Sequence, residues 1–178
     1  MPEPLNPAFK KVYLAENWIF VPTIASATLA PTVAEASGAS ALDFSNMIFA
    51  DGAPSPTQDT NVGTRRRRLA ESSVGQLIGV TTYGGGVLTY QMDPQAATGA
   101  DGIKLWEKIP EGTTGFLVHR LAVAKATNIA AGQFVDVFPV AFGPSMPVKS
   151  GDDEFAESAA TCTYVITSKP AFKVAILA

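Results

Sequence analysis

Apolar and polar residues alternate over several short stretches of this chain, and this period of two constrains the fold more than any other feature. Residues 73–92 hold two such stretches around the glycines at 84–86, which predicts a β-hairpin that turns there. Further strands are predicted at residues 18–22, 116–124, 132–142, 161–168 and 171–176. Six or seven mostly sequential strands joined by Gly-rich turns favour an antiparallel sandwich or barrel.

One stretch has a helical pattern instead. At residues 99–109, Thr98 or Asp101 can cap a helix and Pro110 ends it. Its apolar stripe consists of Ile103, Leu105, Trp106 and Ile109. The sequence therefore predicts a mainly β protein with one short flanking α-helix.

Several predicted strands lack a polar face. Residues 116–124 and 132–142 carry apolar side chains on both sides, and Pro139 in the second favours an edge position or a bulge. The 178 residues suffice for a single domain, and only 16% of them are charged. We therefore expect the sheet to be completed by identical copies, because an isolated sandwich would show a polar outer face.

Four of the five arginines of the chain are consecutive, at Arg65, Arg66, Arg67 and Arg68. The chain has a net charge of −3 and a pI of about 5.1, whereas nucleic-acid binders usually have a broad basic excess. Pairing with carboxylates of a neighbouring subunit is the favoured interpretation, and DNA binding is the alternative. The candidate partners are Asp152, Asp153 and Glu154, in an acidic turn that also contains Glu157.

Candidate catalytic and ligand-binding groups are sparse. His119 and Cys162 are the single histidine and the single cysteine, and a catalytic pair would require them to meet beside a third orienting group. Packing roles are favoured for both. The acidic turn does not have the spacing of a calcium loop, and the glycines at 84–86 precede a strand rather than the helix of a phosphate loop. We expect no catalytic site, cofactor or metal.

The beginning of the chain lacks the apolar run of a secretory signal, and no stretch approaches about 18 uninterrupted apolar residues. We therefore expect no association with a membrane. A single cysteine allows no disulfide within the chain.

Five phrases of the sequence, in order over residues 43–178, resemble the major tail protein, or tail tube protein, of long-tailed actinobacterial phages (siphophages). They are DFSNMIFADGAPSPTQDTN, RRRRLAE, ADGIKLWEKIPEGTTGFLVHR, AAGQFVDVFPVAFGP and PAFKVAI. The resemblance implies a β-sandwich or half-barrel with one flanking helix, whose inner sheet is completed when six copies form a ring. Stacked rings would form a hollow tube through which DNA passes from the capsid to the host.

The resemblance also implies how the rings would contact one another. Residues 1–16 would be an N-terminal arm of the single domain 1–178, and residues 44–63 a long loop between rings. Within this loop, Phe49, Pro54 and Pro56 are the expected contact residues, together with the arginine run and the acidic turn.

The implied partners are other copies of the chain, the tape-measure protein, the tail terminator and the baseplate or distal tail proteins. The protein would be a structural component of the virion tail, assembled in the host cytoplasm, and DNA would pass through the lumen without specific binding. A capsid decoration protein or a head–tail joining protein is the alternative of a different class. An enzyme that uses His119 and Cys162 is the third.

Overall fold

A computed structural model describes residues 12, 15–151 and 154–178. Most of the predicted N-terminal arm, and both Asp152 and Asp153, lie outside the described residues. The elements in chain order are β1 (Glu16–Val21), α1 (Val33–Ser37), β2 (Leu42–Asp43), β3 (Thr57–Thr64), β4 (Gln76–Gly84), β5 (Gly86–Gln91), α2 (Lys104–Lys108), β6 (Thr114–Leu121), β7 (Phe134–Ser150), β8 (Glu157–Ile166) and β9 (Ala171–Ala175).

The strands form one large antiparallel sheet and one small one. The large sheet has the order β2-β1-β6-β7-β8-β5, with β9 paired to the first part of β7, and it curls into a half-barrel. The small sheet consists of β3 and β4. The predicted mainly β half-barrel is confirmed, with two short helices where one was predicted.

The predicted hairpin within residues 73–92 is wrong. β4 pairs with β3, whereas β5 pairs with β8, so the chain passes from the small sheet to the large one at the glycines. Gly85 allows this passage, because a Cβ at this position would overlap the carbonyl oxygen of Tyr164. Its missing side chain therefore serves a close crossing over β8 rather than a tight turn.

The two-sided apolar strands are covered within the chain. One face of β1, β6 and the first part of β7 packs into a cluster around Phe20, Leu117 and Phe138. The opposite face packs into a second cluster around Ile19 and Val137. These strands therefore do not need neighbouring copies to cover their faces, because the second cluster is covered by the chain's own residues, namely Ile24, Leu29, Val33, Ala41 and Ile176. Completion of the sheet by other copies stays a prediction.

Pro139 lies in an interior strand and not at an edge. β7 pairs with β6 on one side, and on the other side it pairs first with β9 up to Val137 and then with β8 from Val140 onward. Pro139 sits in the gap between these two partners, where no ladder donor is needed. The missing N–H is tolerated for this reason.

Residues 42–52 form a segment, called the strap, that bonds to β1 near one edge of the large sheet and to β5 at the other edge. At β1, residues 42 and 43 form β2, and the amide of Phe44 donates to the carbonyl of Trp18 at 3.1 Å. At β5, the Gln91 amide donates to Met47 at 2.7 Å, and the Thr89 amide donates to Gly52 at 3.0 Å. The strap thus satisfies exposed backbone groups of both edges and inserts the fully buried Phe44 between them.

The helices are shorter than the pattern predicts. α2 covers five residues inside the predicted 99–109 range, and Ile103 stands at its N-cap without a side-chain cap. Asp101 pairs with Lys104 instead. Leu105 and Ile109 are buried in the first cluster as the stripe predicts. α1 begins with a capping box between Thr32 and Glu35 and is a second helix that the sequence analysis did not predict.

Phe44→Ala should destabilise the fold by about 3–5 kcal/mol, because it removes a fully buried aromatic ring from the strap. Urea unfolding followed by circular dichroism measures the change. Leu69→Ala is the control, because this side chain is 97% exposed, and the free energy of unfolding should change by less than about 0.5 kcal/mol. Equal effects of the two substitutions would contradict the role of the strap.

Candidate assembly surface

The β3–β4 hairpin projects from the body as a separate two-stranded sheet. Thr57 pairs with Gly84 at its base and Thr64 pairs with Gln76 at its end, with a bulge between Thr60 and Val62. Among the described residues, no other strand pairs with the outer edges of β3 and β4. A two-stranded sheet with two open edges is a template for further strand pairing.

The β3–β4 hairpin carries exposed apolar side chains beside its bulge. We call Val62, Ile78 and Val80 the hairpin face: Val62 pairs with Ile78, and Val80 lies in the bulged part of β4 between Ile78 and Thr81. Their exposed fractions are 51%, 82% and 74%. β-Branched side chains on a strand usually pack against a neighbour, so this face is the best candidate for contact with another molecule.

The base of the hairpin is attached to the large sheet through aromatic rings. Tyr83 lies 6.5 Å from Phe172, and Phe172 lies 5.8 Å from Phe138, measured between ring centroids. These contacts are confined to the base of the hairpin and leave Val62, Ile78 and Val80 exposed.

The arginine run follows β3 in the connection to β4 and is not part of a strand. The Arg65 guanidinium binds the Glu71 carboxylate at 2.7 Å, and the Arg68 amide donates to the same carboxylate at 3.0 Å. The Arg67 guanidinium donates to the Glu71 carbonyl at 3.0 Å. These hydrogen bonds, first that of Arg68 and then that of Arg65, lower the pKa of Glu71. Glu71 is thus the carboxylate that organises this turn.

The other predicted contact residues lie in different places. Glu154 is exposed in the turn between β7 and β8. Phe49 is half-buried in the strap, Pro54 is buried and Pro56 is half-buried. The prediction that residues 44–63 form one long loop is therefore wrong. They comprise part of the strap, which is bound to the body, a short connection and most of the strand β3. The interface role of these residues stays a prediction.

The hairpin face was not predicted from the sequence, although part of its apolar pattern is visible there. Ile78 and Val80 alternate with small residues in the stretch that was assigned to a hairpin with β5. Val62 lies in a polar stretch that was assigned to a loop. Pairing the two stretches requires knowing that β3 returns to β4 across the arginine run, and no short turn motif marks that connection.

A second exposed surface is uncharged. We call Val87, Thr89, Thr161, Thr163 and Val165 the threonine face. Val87 pairs with Thr163 and Thr89 with Thr161, and Val165 lies two residues after Thr163 on the same side of β8. Val87 and Val165 are each more than half exposed. A face without formal charge neither attracts nor repels phosphates strongly.

His119 and Cys162 do not form a pair. The His119 ring stacks on Trp18 at 4.2 Å, and its Nε2 atom lies 3.1 Å from the Glu16 carboxylate. Cys162 is buried, its Sγ atom donates to the Gly143 carbonyl at 3.4 Å, and burial raises the pKa of its thiol. A raised pKa opposes formation of the nucleophilic thiolate.

The part of the chain that the structure describes contains no group of three or more histidine, cysteine, aspartate or glutamate residues placed to hold a metal ion. Neither α1 nor α2, the helices of the described residues, has the length and apolar content to cross a membrane.

A half-barrel with a projecting, open-edged hairpin and two exposed uncharged faces is typical of a β-structured assembly subunit. A family model described as "Phage tail tube protein" matches residues 15–178, and the chain belongs to this family. It is therefore a structural protein of a phage tail. No curated protein matches the sequence.

Glu71→Gln should loosen the arginine turn, because the neutral amide replaces the carboxylate that binds Arg65 and Arg68. Trypsin should cleave at the arginine run faster in this variant than in the unchanged chain, as measured by mass spectrometry of the fragments over time. Glu111→Gln, at an exposed position in another turn, should leave the rate unchanged. Equal cleavage rates in all three proteins would refute the anchoring role of Glu71.

The stability of the fold should decrease as the pH falls from about 7.5 to about 5.5. Burial lowers the pKa of His119, although Glu16 and Asp136 act in the opposite direction. The unfolded chain therefore binds a proton before the folded chain does, and the stabilisation present above the ordinary histidine pKa is lost at lower pH. Urea midpoints at both pH values measure the effect.

His119→Gln should remove most of this pH dependence, because His119 is the only histidine of the chain. A variant whose unfolding midpoint falls as steeply as that of the unchanged protein over the same pH range would assign the effect to other groups.

Proposed function

We propose that the chain forms hexameric rings that stack into the hollow tail tube of a siphophage with an actinobacterial host. The hairpin carries this proposal, because its open edges and apolar face require a partner that the chain itself does not supply among the described residues. In a ring, the hairpin of each copy would pack against the next copy and extend a common sheet around the bore. The family match supports this function over that of a capsid decoration or head–tail joining protein.

The tube would conduct DNA from the capsid to the host without binding it specifically. We assign the threonine face to the bore, because an uncharged lining does not hold phosphates through counterion release. The run Arg65–Arg68 would not line the bore as a whole, since Arg65 and Arg67 are already held by Glu71. The tape-measure protein, the tail terminator and the baseplate or distal tail proteins would be its other partners, with assembly in the host cytoplasm.

The purified chain should form hollow tubes at high concentration, visible by negative-stain electron microscopy. The double variant Ile78→Asp with Val80→Asp should remain small in sedimentation velocity, because two carboxylates would be buried without partners in the contact. Its thermal unfolding should stay close to that of the unchanged chain, because both side chains are exposed in the single copy.

The matched control adds the same two charges elsewhere, as Ala97→Asp with Thr98→Asp in an exposed turn. This control should still form tubes. A chain that stays a single molecule at every concentration tested would refute the proposed function, and tubes formed by the Ile78/Val80 variant would refute the role of the hairpin.

A further inference from the structure

Arg120 is a buried cation that forms no salt bridge among the described residues. Its side chain is 2% exposed and lies near the end of β6, where it pairs with Asn17 of β1. The guanidinium donates to the Asn17 side-chain oxygen at 3.3 Å and to the Gln133 side-chain oxygen at 3.1 Å. The Arg120 Nε atom and the Asn17 amide nitrogen have no partner in this part of the chain. Both acceptors are neutral, so these hydrogen bonds do not neutralise the positive charge of Arg120.

Arg120 forms part of the wall of an open cavity of about 500 Å³. Lys125, Asp43 and Asn128 also line this cavity. Asp43 is the only acidic residue of the lining, and its carboxylate accepts hydrogen bonds from the amide and the hydroxyl group of Ser45. Lys125 donates to Asn46. Two cations against one carboxylate leave the cavity with one net positive charge.

A carboxylate is the ligand that this cavity suits. A buried cation is costly unless an anion with matching hydrogen bonds approaches it, and a guanidinium with free N–H groups binds a carboxylate most strongly. Burial lowers the pKa of Arg120, and Asp43 offsets this only in part. An additional anion would complete the balance that Asp43 begins.

A suitable carboxylate lies at the other end of the same subunit. Gln133, which contacts Arg120, directly precedes β7, whereas the exposed Glu154 and Glu157 follow the end of this strand. β7 has 17 residues, so the chain between the two features has a contour length of about 50 Å. The turn of one copy cannot reach its own cavity across a strand of this length. Complementary features at opposite ends of one molecule instead produce a head-to-tail contact, which repeats without closing.

We propose that the Arg120 cavity binds the carboxylate of Glu154 or Glu157 from a second copy and thereby links successive copies head to tail. This contact rests on the proposed self-assembly and adds to it a defined polar joint, separate from the apolar hairpin face. Stacking of rings requires a contact that repeats without closing, in addition to the contact that closes each ring.

Nuclear magnetic resonance of the arginine Nε–H groups tests the site. The ¹⁵N-labelled chain carries Ile78→Asp and Val80→Asp to suppress lateral contact, and sodium acetate is added against sodium chloride of equal ionic strength. The Arg120 signal is assigned by its loss in Arg120→Lys and should shift in a saturable manner. The four arginines of the run Arg65–Arg68 serve as internal controls. Lys125→Gln keeps Arg120 in place and should weaken acetate binding on the order of tenfold. An Arg120 signal that does not respond to acetate would overturn the site.

The second arm identifies the partner. Unlabelled chain on the same background should shift the Arg120 signal in the direction that acetate does, and the effect should disappear when that chain carries Glu154→Gln and Glu157→Gln. The matched control is Asp51→Asn with Glu111→Gln, at exposed positions, which should keep the effect. An equal shift from the Glu154/Glu157 variant would overturn the assigned partner. If the unchanged chain forms tubes but the Arg120 signal never responds, this joint alone is removed. If the Arg120 signal responds but the unchanged chain never forms tubes, only the tube is removed.

Discussion

Backbone hydrogen bonding at the two ends of the large sheet is the constraint on which the rest of the structure depends. A curled sheet of this kind exposes unpaired N–H and C=O groups at its first and last strands. The strap at residues 42–52 bonds to β1 at one end and to β5 at the other, and its Phe44 side chain fills the interior between them. The body of the protein is therefore closed by its own chain, and the first core cluster becomes continuous.

This closure determines where assembly can occur. Both faces of β1, β6 and the first part of β7 contribute to the two core clusters, so most of their apolar side chains are covered within the chain. The hairpin carries four exposed apolar side chains, Val62, Leu77, Ile78 and Val80, on strands whose outer edges are open among the described residues. A subunit built in this way can fold alone and still associate, because folding and association use different surfaces.

The distribution of charge follows the same division. The acidic Glu71 neutralises part of the arginine run inside its own turn, so the densest positive segment of the sequence is partly satisfied before any partner arrives. Arg120 is the opposite case, because it is the isolated arginine in the sequence, yet its hydrogen bonds within the described residues go to neutral groups. Local density of charge is therefore a poor guide to where a protein needs an external ion pair, since the need depends on burial.

The periodicity of apolar residues alone determined the mainly β class and the positions of the later strands, where the period is two, and the short helix near Leu105, where it is helical. Side-chain periodicity reflects local backbone geometry. The tertiary structure alone decided which strands pair, as the separation of β4 from β5 and the division of residues 44–63 show. It also decided that two-sided apolar strands are covered by residues 24–41 and the C-terminal segment rather than by another copy. Strand pairing and burial depend on contacts between residues far apart in the chain, and a period of two contains no information on which distant segment satisfies each edge.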